Sequence, residues 1–213
     1  MTPLATVTLI LAASLVPFLV AVLTSFVKIV VVLAILKNAL GGRDVPPAIV
    51  VTGLAVVLSL VVMAPVGAEV WRAAEPIVEK GEADPRAAVA LVEAARAPVR
   101  AFLARHAHAR DRALFLDLAR RLRPEADRPA VRDDDLAVLA PAFVTSQLAE
   151  AFTIGFLLFL PFLVIDLFVA IALRSLGLEA LPPVAVALPM KLVLFVAVDG
   201  WALVARGLVA AYA

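Results

Sequence analysis

LPMKLVLFVAVDGW, residues 188–201, places a lysine and an aspartate inside an otherwise membrane-grade apolar run. Ionisable groups in such a run are costly, and they usually face a bundle interior, a water-filled path or a partner subunit. On a helix, Lys191 and Asp199 lie about 12 Å apart along the axis. That is too far for direct pairing. Each is therefore expected to find its partner on another helix or another chain, the plainer alternative being two charges that snorkel to an interface. The run predicts a helix packed among other helices, with assembly or transport written into it.

The rest of the 213-residue chain has the same character, with 64% hydrophobic and only 17% charged residues and a mean hydropathy of +1.04. Soluble domains are about 45–50% apolar. A net charge of +1 gives no electrostatic case for nucleic acid. The absence of cysteine excludes disulfides, thiol catalysis and cysteine metal sites. The two histidines, His106 and His108, stand two residues apart and do not share a helical face, so no metal and no cofactor are expected. No Lys or Arg precedes Lys28, so the basic start of a secretory signal is lacking and the first apolar run reads as a retained element.

Four apolar tracts, about 4–36, 49–66, 152–173 and 184–209, each approach or exceed the ~20 residues of a bilayer-spanning helix. Three domains follow: a hydrophobic helical hairpin over 1–67, an extracytoplasmic amphipathic helical domain over 68–141, and a second hydrophobic hairpin over 142–213. In the middle domain Asp84 and Pro85 read as a helix start. Val92, Ala95, Val99, Phe102 and Leu103 then recur at helical spacing, with Pro98 expected to bend or divide the helix. A second stretch carries Leu114, Phe115, Leu118 and Leu122 on one side. Its arginines are interleaved with Asp111 and Asp117, which fits a solvated face better than an RNA-binding one. Asp133, Asp134 and Asp135 read as a solvated turn or a helix start.

The chain also repeats itself. LGGRDVPP (40–47) and LGLEALPP (176–183) both fit L-G-x4-P-P between two apolar tracts. Glycine ends a helix in the left-handed conformation, and proline stops its continuation and starts the next one. Gly41, Pro46 and Pro47 thus mirror Gly177, Pro182 and Pro183, and both turns are expected on one side of the membrane. Lys37, Arg43 and Arg174 beside the turns make that side cytoplasmic, with the middle domain and both termini outside. Pro17, Pro161 and Pro189 interrupt the tracts, while Lys28, Asp166, Lys191 and Asp199 put charge within them. Such features are tolerated where protein neighbours or a cavity satisfy the polar groups. Two lysines and two aspartates suggest compensation across helices or subunits.

TSFVKIVVVLAILKNALGGRDVPP (from Thr24), RAFLARHAHARDRALFLDLA (from Arg100), LAPAFVTSQLAEAFTIGFLLFLPFLVIDLFVA (from Leu139) and LPMKLVLFVAVDGW resemble, in the same order, the FliP/SctR export-apparatus proteins of type III secretion. The resemblance implies a homo-oligomer of about five copies that builds a helical pore with FliQ/SctS-like and FliR/SctT-like subunits. FlhB/SctU-like and FlhA/SctV-like proteins are implied as further partners, and unfolded secretion substrates as cargo. It implies no catalytic centre, and a bacterial inner membrane location with the assembled complex largely on the periplasmic side. The unsignalled start is similar to the virulence branch. Many relatives carry a methionine run after the second glycine that resembles a flexible gasket, methionine being deformable. Leu178, Glu179 and Ala180 stand there instead. Glu179 does not suit a dry constriction, so either it points away from the lumen or other subunits supply the seal.

The sequence expectation is therefore an all-α, membrane-associated subunit with two helical hairpins flanking a small helical domain. For Lys191 and Asp199, intersubunit pairing stands against intrachain burial through the first hairpin. Asp166 is expected to be a structural partner of Lys28 or of a backbone donor rather than a proton relay. Phe102, Phe115 and Trp201 are candidates for packing or for subunit contacts. A small secondary transporter, which shares the repeats and intramembrane charges, is the rival reading. Thr145 and Ser146 lack a nucleophile arrangement with histidine, so an enzyme is not expected.

Overall fold

The computed structural model describes residues 14, 17–18, 21–41, 46–79, 85–178 and 180–213, and among them the only regular structure is helical. Seven α-helices follow one another: α1 (Phe26–Leu40), α2 (Ala48–Val78), α3 (Pro85–His106), α4 (Ala109–Arg121), α5 (Leu136–Ser175), α6 (Pro183–Ala197) and α7 (Gly200–Ala210), with a 3-10 turn at Glu125–Ala130. At about 1.5 Å per residue, α2 and α5 are roughly 46 and 60 Å long, well beyond the ~30 Å hydrocarbon core of a bilayer. Both are long and apolar enough to cross a membrane, with mean hydropathies of 2.6 and 2.8 in their most apolar stretches. Only 22% and 17% of those stretches is buried within the chain. The fold is all-α and membrane-associated.

The prolines do less than their sequence positions suggest. α3 is not divided at Pro98, α5 continues through Pro141 and Pro161, and α6 through Pro189. Each proline removes one backbone donor, and a long helix held by its other bonds absorbs that loss. α2 runs on to Val78 and α5 starts at Leu136, so residues 67 and 141, where the composition changes, lie inside helices. Asp84 lies outside the described residues, and Pro85 takes the first helical position.

The two L-G-x4-P-P segments share their turn chemistry. Gly41 and Gly177 both adopt left-handed φ, +80° and +69°. Gly41 N–H donates to Asn38 O, and Gly177 N–H donates to Arg174 O, each at 3.1 Å. Leu178 N–H reaches Leu173 O at 2.9 Å, completing a Schellman cap at the second turn. Pro47 then offers its carbonyl to Val50 and Val51 at the start of α2, as Pro182 does to Ala185 at the start of α6.

The chain forms two compact units: residues Met1–Val27 with Val62–Gln147, and residues Lys28–Val61 with Leu148–Ala213. In the first, Phe102 and Leu103 of α3 and Ala107 just after it are buried with Val131 and with Val138, Leu139, Ala142 and Phe143 of α5. The Phe102 ring lies 5.5 Å from Phe143 and 4.7 Å from His106. Phe102 is therefore core, and Phe115 is partly buried. In the second unit α1 is the most enclosed helix, with Ile29, Val32, Leu33, Leu36, Ala39 and Leu40 nearly inaccessible. Val169 and Leu173 of α5 pack there with Ala187 of α6.

Candidate functional site

Four of the charges among the apolar helices of the second unit form two clamps, each around a buried lysine. In the first, α6 carries Lys191 inward, where it is 5% exposed. Its ammonium donates to Asp166 Oδ2 on α5 at 2.7 Å and to the Ala39 carbonyl in the last turn of α1 at 2.9 Å. That carbonyl belongs to the negative end of a helix, whose last four C=O groups have no intrahelical partner. Gly41 stands beside the ammonium, where a Cβ would make an ordinary contact 3.4 Å from Nζ, so it is the left-handed φ and not space that favours glycine there. A cavity of about 360 Å³ opens beside the pair, lined by Asn38–Gly41 of the first turn and by Pro183, Val184 and Leu188 after the second. Residues that open the first turn and residues that follow the second thus line one cavity. Asp166 faces the cavity and is 40% exposed.

The second clamp uses Lys28 of α1, 1% exposed, paired with Glu150 of α5 at 2.5 Å. The buried ring of Tyr212, beyond α7, covers the same ammonium at 4.0 Å from its centroid, a cation–π contact. Asp166 thus pairs with Lys191, where the sequence suggested Lys28 or a backbone donor. Both lysines are satisfied within one chain, and each joins α1 to α5.

Asp199 is different. It stands between α6 and α7, which meet at a 62° bend, in left-handed backbone at φ 50°. It is exposed and makes no side-chain cap bond. The bend is fixed by packing: a Cβ on Gly200 would overlap the Phe195 ring. That ring lies edge-on to Trp201 at 5.1 Å and faces Phe162 at 6.4 Å. Trp201 keeps 41% of its surface exposed. Leu178 and Ala180 are exposed at the second turn, and Glu179 lies outside the described residues.

In the first unit, Ser146 and Gln147 of α5 hold the α3–α4 turn. Gln147 Nε2 donates to His106 O at 3.0 Å, and His108 N–H donates to Ser146 Oγ at 2.9 Å. The single Ser146 hydroxyl proton lies within reach of Asp111 Oδ2 (2.7 Å) and Ala142 O (2.8 Å), and the carboxylate is the stronger acceptor. Asp111 is the third residue of α4, and Ser146 stands between its carboxylate and the N-cap amide in the manner of a relayed capping box. The Ser146 hydroxyl holds the buried Asp111 carboxyl below the usual carboxylate range. Burial opposes this, and the Arg110 guanidinium reinforces it. His108 Nδ1 faces Asp111 at 3.6 Å rather than the serine. The serine proton is therefore offered to a carboxylate of lowered basicity and not to the imidazole, and the arrangement is structural. The aspartate triplet is also structural, with Asp133 paired to Arg112 at 2.6 Å and Asp135 accepting from Arg132 N–H at the start of α5.

Sequence reasoning missed Glu150, Tyr212 and the Ala39 carbonyl. A lone carboxylate in an apolar run was the available signal for Glu150, whereas a helix-end carbonyl leaves none. Among the described residues no group of three His, Cys, Asp or Glu could hold a metal.

A family profile described as "FliP family" matches residues 9–208. The chain is 48% identical to "Hypersensitivity response secretion protein HrcR" of Ralstonia nicotianae, over 94% of this chain and 93% of that one. It is 47% identical to "Pathogenicity-related ORF2" of Xanthomonas campestris pv. glycines, over 95% and 94%. It is 44% identical to "Flagellar biosynthetic protein FliP" of Caulobacter vibrioides, over 93% of this chain and 72% of that one.

Proposed function

The chain belongs to the FliP family of type III secretion export-apparatus proteins, and from that premise we propose that it is a core subunit of the export gate. In this reading two helical hairpins flank an extracytoplasmic helical domain, and several copies assemble into a helical pore. FliQ/SctS-like and FliR/SctT-like subunits complete the pore, FlhB/SctU-like and FlhA/SctV-like proteins adjoin it, and unfolded proteins pass through. The complex resides in the bacterial inner membrane, largely on its periplasmic side. The protein is a non-enzymatic transport component.

One observation carries the reading beyond family membership. The long apolar helices α2 and α5 bury little within their own chain, while Lys28 and Lys191 are neutralised inside it. A subunit built this way is internally pre-formed and leaves its apolar faces for lipid or neighbours. The relatives named for secretion and for flagellar biosynthesis support the same assignment.

The experiment is deletion of the gene in its own bacterium, with type III substrates measured in the culture medium. Secretion should be abolished and restored by the wild-type gene, with growth unchanged. Continued secretion from the deletion strain would contradict the reading.

A further inference from the structure

Helix α7 has two faces. Gly200, Val204 and Leu208 are buried against its own unit, whereas Asp199, Leu203 and Arg206 are exposed. Asp199 and Arg206 are seven residues apart, which puts them on one side of the helix about 10 Å from each other. Neither has an ion-pair or side-chain hydrogen-bond partner among the described residues. Lys28 and Lys191, by contrast, are both paired within the chain. Asp199 is also the only described non-glycine residue at positive φ. Glycine or asparagine would fill that backbone position with less strain or equal ease, and the carboxylate makes no cap bond among the described residues. The bend itself therefore gives no reason for an acid.

We propose that this face of α7 is an intersubunit contact. Its partner is a helix of a neighbouring export-gate subunit with a lysine or arginine opposite Asp199 and an aspartate or glutamate opposite Arg206. The inference rests on the export-gate reading and adds to it the surface and the charge pattern of the partner. An acid and a base of fixed spacing on a low-dielectric face set both the register and the direction of the helix they accept.

The test uses full complexes extracted in mild detergent. Asp199→Gly keeps the left-handed bend and removes the charge, and Arg206→Gln removes the base. Each should lower the assembled fraction on native gels by about tenfold or more, while the thermal unfolding midpoint of the isolated subunit does not fall. The chain has no cysteine, so Leu203→Cys provides a unique attachment point for a maleimide photocrosslinker. The captured peptide, identified by mass spectrometry, should lie in a neighbouring gate subunit and carry a base and an acid about 10 Å apart. Reversing that base should rescue Asp199→Arg. Normal assembly of both charge-removal variants, or crosslinks to lipid alone, overturns the contact. A wild-type chain that forms no oligomer instead refutes the export-gate reading beneath it.

Discussion

The Lys191 ammonium is shared between Asp166 of α5, 2.7 Å away, and the Ala39 carbonyl at the end of α1. One side chain therefore joins the end of the first apolar helix to the two helices that enclose the second turn. Removing one partner of a buried pair costs about 3–5 kcal/mol, and the 40% exposure of Asp166 moves the expected loss for Lys191→Ala toward about 2 kcal/mol. Assembly and secretion should fall together, as judged by native gels and substrate release. A double substitution, Lys191→Met with Asp166→Leu, should recover part of the lost stability, because no orphaned charge remains. Normal complexes with secretion lost would assign Lys191 a role in transport instead.

Tyr212 should act through its ring. Tyr212→Phe keeps the face over Lys28 and should change stability by about 1 kcal/mol or less. Tyr212→Ala removes a buried aromatic and should cost about 3–5 kcal/mol. Thermal unfolding in detergent checks the ranking, and equal losses would contradict the cation–π role.

Asp111 gives the first unit a pH dependence of known sign. Its folded-state carboxyl is held below the ordinary range, chiefly by Ser146. The resulting stability is therefore fully present above the unfolded value, about 3.9, and is lost as pH falls through the lower folded value. Ser146→Ala should cost about 1–3 kcal/mol at neutral pH. That difference from wild type should shrink below about pH 4. A difference that stays constant down to pH 2 in urea unfolding would contradict the assignment.

Two glycines should fail differently. At Gly200, alanine meets the Phe195 ring, which is held by Phe162 and Trp201, so overpacking of about 1–3 kcal/mol is expected. At Gly177 the space is open and only the left-handed backbone resists, at about 1–2 kcal/mol. Gly177→Asn should be milder than Gly177→Ala, whereas Gly200→Asn should be worse than Gly200→Ala. Thermal midpoints read both comparisons.

Local signals proved the most legible. The two glycine–proline turns could be read because a left-handed residue ending one helix and a proline starting the next are written within eight residues. Long apolar runs likewise announced α2 and α5. Pairings across the fold could not be read in this way. Lys191 meets a carboxylate 25 residues back and a carbonyl 152 residues back, distances that only packing selects. Prolines did not divide their helices, because one missing donor does not end a helix whose neighbours hold it, as α3 at Pro98 and α5 at Pro161 demonstrate. The real break, at Asp199, depends on a backbone conformation whose one trace in the sequence is Gly200 beside it.

Native mass spectrometry of the detergent-extracted protein, expressed alone and then with the other gate subunits, tests the central claim most directly. The account predicts a discrete oligomer of about five chains that gains the partner subunits. A monomer or dimer that ignores them would contradict it.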